Sequence, residues 1–226
     1  MQSIIITGAG SGLGRELALL LAKKNYHVIL TGRNTDKLIG VKEEIETLGG
    51  KAAYIGLDVR KANEAEDALK ELSKKHQIYG LINNAGVGHF GSFVDIKEAE
   101  ITDMLDTNVL GTIFMTKAFL SHLPETREGH VVNIISTAGL RGKVNEAVYA
   151  ASKFAVKGFT ESLQKEYKGT AILFTSVYMG GMATPFWEES DHIKDPSRLR
   201  SPREIAEIII SQMDQEEIII ENENKK

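Results

Sequence analysis

Tyr149 and Lys153 stand four residues apart in Tyr149-Ala150-Ala151-Ser152-Lys153, a spacing that on a helix puts a phenol and an ammonium on one face. A tyrosine holds its proton up to a pH of about 10, so it exchanges protons near neutrality only where a neighbouring cation favours the phenolate. Lys153 would supply that cation, which makes the pair a candidate for general acid/base chemistry. Such pairs are also common on plain helix surfaces, and the context must decide. Ser136 closes an apolar run in Asn133-Ile134-Ile135-Ser136-Thr137 and would project from the carboxyl end of a strand, where a hydroxyl can orient a carbonyl oxygen. Asn83-Asn84-Ala85-Gly86 ends another run in the same way. Its amides can tie strand ends together or touch a ligand, and the tying role is the one expected. Asn108, in Asp106-Thr107-Asn108-Val109-Leu110-Gly111, is an amide in a predicted helix interior, where its low propensity points to a particular hydrogen-bonding task.

A second chemistry is written at the N-terminus. The first apolar run ends in Thr7-Gly8-Ala9-Gly10-Ser11-Gly12-Leu13-Gly14, and the amphipathic segment 15–24 follows at once. Glycines permit positive φ and close backbone approach, while a helix N-terminus offers unpaired N–H groups to a pyrophosphate. The spacing is G-x-x-x-G-x-G rather than G-x-G-x-x-G; a tight turn would explain it too, but its place after a buried strand favours dinucleotide binding. At the end of the second run, Leu30-Thr31-Gly32-Arg33-Asn34 carries a guanidinium where an acid would accept hydrogen bonds from the ribose of NAD. That exchange favours the 2′-phosphate of NADP(H). Asp58, in Leu57-Asp58-Val59, either bonds an adenine amino group or caps a loop.

These residues need a frame. β-branched runs at 3–7, 28–31, 52–57, 80–83, 131–136 and 171–177 alternate with stretches of helical length. A seventh run, 217–220, follows a helix whose start at Ser201-Pro202-Arg203-Glu204 has capping-box spacing. The expected fold is α/β: a single Rossmann-type doubly wound domain over 1–226, with a mostly parallel seven-stranded sheet and helices on both faces. The irregular stretch 179–200, with two glycines, two prolines and Trp187, is expected to cover the substrate, and 222–226 to form a loose tail. Met179, Met182, Phe186 and Trp187 suit either an adaptable pocket wall or ordinary core.

Bulk properties narrow the partners. A net charge of -4 without a long basic run gives no footprint for nucleic acid or a membrane surface. With no cysteine there is no thiolate chemistry or disulfide, so redox work would need a bound cofactor. No stretch has the length of a membrane span and no basic leader precedes Ile4, which sets a cytoplasmic expectation. The six histidines lack metal-ligand spacing; His89 and His192 are the two that could reach a substrate.

The combination of residues 7–14, 83–86, Asn108, Ser136 and Tyr149-x-x-x-Lys153 resembles the short-chain dehydrogenase/reductase family across nearly the whole chain. The resemblance implies a tetrad: Tyr149 as acid/base, Ser136 polarising the carbonyl, Lys153 on the nicotinamide ribose lowering the Tyr149 pKa, and Asn108 holding a relay water. It assigns the cofactor NADP(H) to Gly8, Ser11, Gly12, Leu13 and Gly14, to Arg33, Asp58 and Val59, and to Asn84, Ala85 and Gly86. Tyr149, Lys153, Gly180 and Thr184 complete the set. In Tyr178-Met179-Gly180-Gly181-Met182-Ala183-Thr184 the proline usual before this glycine is missing. The implied activity is reduction of a ketone or aldehyde, or the reverse; an idle NADP(H)-binding sensor or scaffold and an epimerase or lyase are the alternatives. A homodimer through the helices around 99–122 and 149–167 is implied, with a tetramer as the larger assembly, although the usual Asp-Gly-Gly close is absent.

Overall fold

Ser3 to Thr7 are all buried, so the isoleucine-rich strand β1 (Gln2–Thr7) is covered on both faces, as a central parallel strand must be. The computed structural model describes residues 1–123, 128–187, 192, 195 and 199–221. The expected tail at 222–226 and much of the 179–200 loop lie outside the described residues. Around β1 lie β2 (His27–Gly32), β3 (Lys51–Gly56), β4 (Gln77–Asn83), β5 (Gly129–Ile134), β6 (Ile172–Met179) and β7 (Glu217–Ile220). The order is β3-β2-β1-β4-β5-β6-β7, and every neighbouring pair is parallel, so the sheet is wholly rather than mostly parallel. The order reverses between β1 and β4, which opens a crevice at the carboxyl ends of these strands.

Side-chain alternation along β1 feeds two cores. Ile4 and Ile6 pack with Leu17 and Leu21 of α1 (Gly12–Lys23), Leu38 of α2 (Thr35–Thr47) and Ile209 of α7 (Pro202–Ser211). Ile5 faces the opposite layer with Leu69 of α3 (Ala62–Lys75) and Phe119 of α5 (Gly111–Ser121). As the sequence suggests, Ser201 caps α7, its hydroxyl accepting from Glu204 N at 3.1 Å with proline at the first turn.

Several bounds differ from expectation, and one residue lies in another kind of element. β4 begins at Gln77, three residues early, because Gln77 and Ile78 pair with Gln2 and Ser3 before the register shifts. Asn108 lies in a π-turn, Asp106–Leu110, between α4 (Glu98–Leu105) and α5, and not in a regular helix interior. Such turns recur at functional sites because they break the regular backbone ladder.

His130, at the base of β5, is buried and its ring bonds Thr175 Oγ1 at 2.9 Å; burial pushes its pKa down to about 4. The neutral ring therefore favours folding. Its contribution is complete above the ordinary histidine pKa of about 6.5 and is lost as pH falls from there towards 4, about 2 kcal/mol being gone by pH 5. Urea unfolding at pH 7 and pH 5 is expected to show this loss in the wild type and a smaller one in His130→Gln. Equal losses in the two proteins would assign the acid lability elsewhere.

Candidate functional site

The glycine turn opens on a cavity of about 580 Å³ at the switch point, bordered at this end by Gly8, Ser11, Gly12 and Leu13. Gly8 and Gly12 adopt φ of +64 and +53, the left-handed region that glycine enters without strain. Ser11 begins α1 without a side-chain cap, and no acid stands in the first turn, so the helix end presents N–H groups and positive potential to the cavity. This cradle fits a pyrophosphate. Gly14 does not border the cavity. It sits behind the turn, where an added Cβ would collide with Gly8 O and come within 2.6 Å of Asn84 Nδ2, so it permits close packing rather than ligand contact. Gly14→Ala is expected to cost about 1–3 kcal/mol, read as a lowered thermal midpoint; an unchanged midpoint would show that the turn yields.

Asn84 ties strand ends together. Its Nδ2 donates to Thr7 O at 2.9 Å and to Gly8 O at 3.2 Å, and Thr7 Oγ1 accepts from the N–H groups of Asn84 and Ala85. Asn83 does the same deeper in, donating to Thr116 Oγ1 and Asn133 Oδ1. Asn84, Ala85 and Gly86 still border the cavity through the stretch they fix.

At the far end, Arg33 leaves β2 into the cavity wall beside Lys37, Asp58 and Val59. Lys37 is a second cation that the sequence reading missed; its signal is its place four residues after Arg33, in the first turn of the helix that Asn34 caps. Both readings of Asp58 hold a share. It borders the cavity, and it also accepts from Arg60 N at 3.1 Å and from the Arg60 guanidinium at 2.6 and 3.0 Å. The hydrogen bonds from Arg60 hold its carboxyl below the ordinary carboxylate range, with Arg33 adding a smaller effect.

Ser136, Tyr149 and Lys153 meet in the cavity floor, each less than a tenth exposed. Tyr149 and Lys153 stand one turn apart in the first half of α6 (Ala147–Glu166). Ser136 lies two residues beyond the end of β5, not within it, with φ 139 and ψ 154. That conformation is strained for a serine by about 1–3 kcal/mol. Its hydroxyl accepts from Ala138 N at 3.1 Å and acts on Tyr149 in favour of the phenolate. Burial raises the Tyr149 pKa well above its ordinary value, Ser136 opposes this, and Glu146 reinforces it. Lys153 does not oppose it, contrary to the sequence expectation. Its Nζ lies 5.6 Å from the Tyr149 ring centre and donates to Ile134 O at 3.2 Å, while burial pushes its own pKa down to about 8. Desolvation dominates at both groups, and each is biased towards its neutral form.

Asn108 stands behind this floor and does not border the cavity. Both amide protons are used, to Val87 O at 2.9 Å and Ser152 Oγ at 3.0 Å, and Oδ1 accepts from Val87 N at 2.9 Å. It clamps the strand-four loop to α6. Gly180 and Thr184 border the cavity; Gly180 N donates to Ile220 O at 3.0 Å, and the Thr184 methyl lies against Gly12.

Above Tyr149 the wall is aromatic. Phe90 meets the Tyr149 ring edge-on at 5.3 Å, Phe186 stands at 6.0 Å, and Trp187 stacks on Phe90 at 5.0 Å. Met179, Met182, Phe186 and Trp187 all border the cavity, and Met182 is also part of the core. His192 stacks on Phe90 and bonds Glu146 at 2.9 Å. His89 instead bonds Asp103 at 3.1 Å and is not among the residues bordering the cavity. The sequence reading missed Glu146, whose only signal is its place three residues before Tyr149. Among the described residues, no three acids or histidines cluster closely enough to hold a metal, and no helix is long and apolar enough to cross a membrane.

Sheet order, glycine turn and a Ser/Tyr/Lys group at the strand ends together define a Rossmann-type α/β protein. Residues 2–195 match the short chain dehydrogenase family, and the chain belongs to it as an oxidoreductase. An uncharacterized oxidoreductase of Myxococcus xanthus is 34% identical over 180 residues, covering 79% of this chain and 71% of that protein. One from Staphylococcus aureus is 32% identical over 223 residues, covering 97% and 94%. The alcohol dehydrogenase of the archaeon Thermococcus sibiricus, solved with 5-hydroxy-NADP, superposes with a TM-score of 0.89 at 25% identity, covering 100% of this chain and 99% of that one.

Proposed function

We propose that this chain is an NADPH-dependent reductase of a ketone or aldehyde, or in reverse an NADP-dependent dehydrogenase of the matching alcohol. The observation that carries the reading is one continuous cavity with Arg33 and Lys37 at one end and Ser136, Tyr149 and Lys153 together at the other. Bound NADPH would supply the hydride. Ser136 holds the substrate oxygen where negative charge develops, and Tyr149 donates its proton there. Lys153 binds the nicotinamide ribose at the floor of the cavity. Asn108 keeps the loop around Val87 fixed against α6, so the reacting groups stay aligned. Arg33, with Lys37 beside it, receives the 2′-phosphate, and the complex of the archaeal relative supports this cofactor.

The reading includes a homodimer through α4, α5 and α6, where Leu105, Leu110 and Phe154 remain exposed among the described residues. A dimeric mass by light scattering is expected. The activity is tested with a panel of ketones and aldehydes, following NADPH absorbance. Oxidation of NADPH with alcohol formed in equal amount is expected. Cofactor binding without turnover on any carbonyl would support a sensor, and product without net NADPH change an epimerase or lyase.

A further inference from the structure

Two acids border the cavity among the described residues. Asp58 is held by Arg60 at the adenosine end; Glu146 stands at the other, on the aromatic side, and nothing in the proposed chemistry uses it. Its side chain is 7% exposed. A carboxylate so placed is costly to desolvate unless something is gained by it. Helix capping is not the gain: Glu146 precedes α6 as its N-cap residue, yet its side chain accepts no hydrogen bond from the helix.

The two carboxylate oxygens are unequally engaged. Oε1 meets His192 Nε2 at 2.9 Å. Oε2 has Lys143 Nζ at 4.0 Å, beyond hydrogen-bond reach, and that ammonium is already bonded to Thr137 Oγ1 at 3.1 Å. Oε2 therefore keeps accepting capacity in a wall it shares with Lys143, Phe186 and Trp187. Its charge is also felt at Tyr149, which places it within electrostatic reach of the reacting oxygen.

We infer that Glu146 is a specificity determinant, accepting a hydrogen bond from a hydroxyl or amino group carried by a carbonyl substrate whose remaining body is aromatic or aliphatic. This rests on the reductase reading. A site built to bond a donor discriminates strongly against the analogue that lacks it, because its own polar group is left unpaired in a desolvated wall. The aromatic residues supply contact area, and Glu146 fixes which end of the substrate lies away from Tyr149.

The test uses matched 4-aryl-2-butanones bearing a para hydroxymethyl, aminomethyl or ethyl group, with wild type, Glu146→Gln, Glu146→Asp and His192→Phe. The wild type is expected to favour the donor-bearing ketones over the ethyl compound by about tenfold or more in kcat/KM, chiefly through KM. In Glu146→Gln that ratio should fall, most for the aminomethyl ketone, because the amide oxygen is a neutral and weaker acceptor, and Glu146→Asp should recover part of it. His192→Phe keeps the aromatic stack and should keep the ratio. Equal reduction of donor-bearing and ethyl ketones by the wild type overturns the inference while leaving the reductase reading in place. So does an equal fall in the ratio in Glu146→Gln and His192→Phe, since the carboxylate would then only tether His192. NADPH binding without oxidation on the three ketones overturns the inference, and the same outcome across the wider carbonyl panel overturns both readings.

Discussion

Replacing Tyr149 with phenylalanine should lower NADPH-driven carbonyl reduction by about 10²- to 10⁴-fold, the range expected for loss of a positioned general acid. Binding of the dinucleotide should hardly change. The substitution removes one oxygen and keeps the ring, so the contacts with Phe90 and Phe186 survive and the floor of the cavity stays packed. What goes is the hydroxyl that borders the cavity with Ser136, where the substrate oxygen must gain its proton. The phenol's raised pKa adds a pH signature. Burial, with only Ser136 opposing it, keeps Tyr149 protonated through neutrality, the state that reduction needs. Alcohol oxidation needs the phenolate and should rise steadily with pH, whereas reduction should decline only on the alkaline side, where Lys153 loses its proton near 8. Single-turnover kinetics at several pH values separate the two. A phenylalanine variant with near-wild-type turnover would remove Tyr149 from the chemistry.

What the sequence disclosed follows from which interactions are local. The glycine turn, the capping of α7 and the one-turn spacing of Tyr149 and Lys153 are set by residues adjacent in the chain, and all stand in the structure as read. The seven strands and their parallel pairing came through as well, because alternating apolar runs at crossover spacing imply crossover connections. What escaped depends on distant partners. The function of Asn108 is decided by Val87 and Ser152, far away in sequence. Desolvation escaped for the same reason: a cation four residues away suggests a lowered Tyr149 pKa, but burial by the surrounding loops reverses the sign. Glu146 is the clearest case. In sequence it is a charge before a helix, and only the fold turns it into a wall of the cavity.

Arg33→Ala should weaken NADPH binding by roughly 10- to 100-fold while leaving NADH almost untouched, because a hydrogen bond to a charged partner contributes about 1.5–3 kcal/mol and only NADPH carries the 2′-phosphate. The residue is well suited to a selective loss. It leaves the end of β2 into the cavity wall, and Asn34, not Arg33, caps the following helix, so the substitution spares the local fold. Lys37, bordering the same end of the cavity, should retain part of the phosphate attraction, so Arg33→Ala with Lys37→Ala should lose more than either alone. Asp58 sets the limit on reversing the preference. Its charge is largely balanced by Arg60, so removing the two cations should leave the phosphate end with little attraction and not with a site that selects NADH. Calorimetric titration of both cofactors against the single and double variants measures this directly, at fixed ionic strength because the effect is screened by salt. Equal losses for NADPH and NADH would mean that Arg33 supports the fold of the adenosine end and not the recognition of its phosphate.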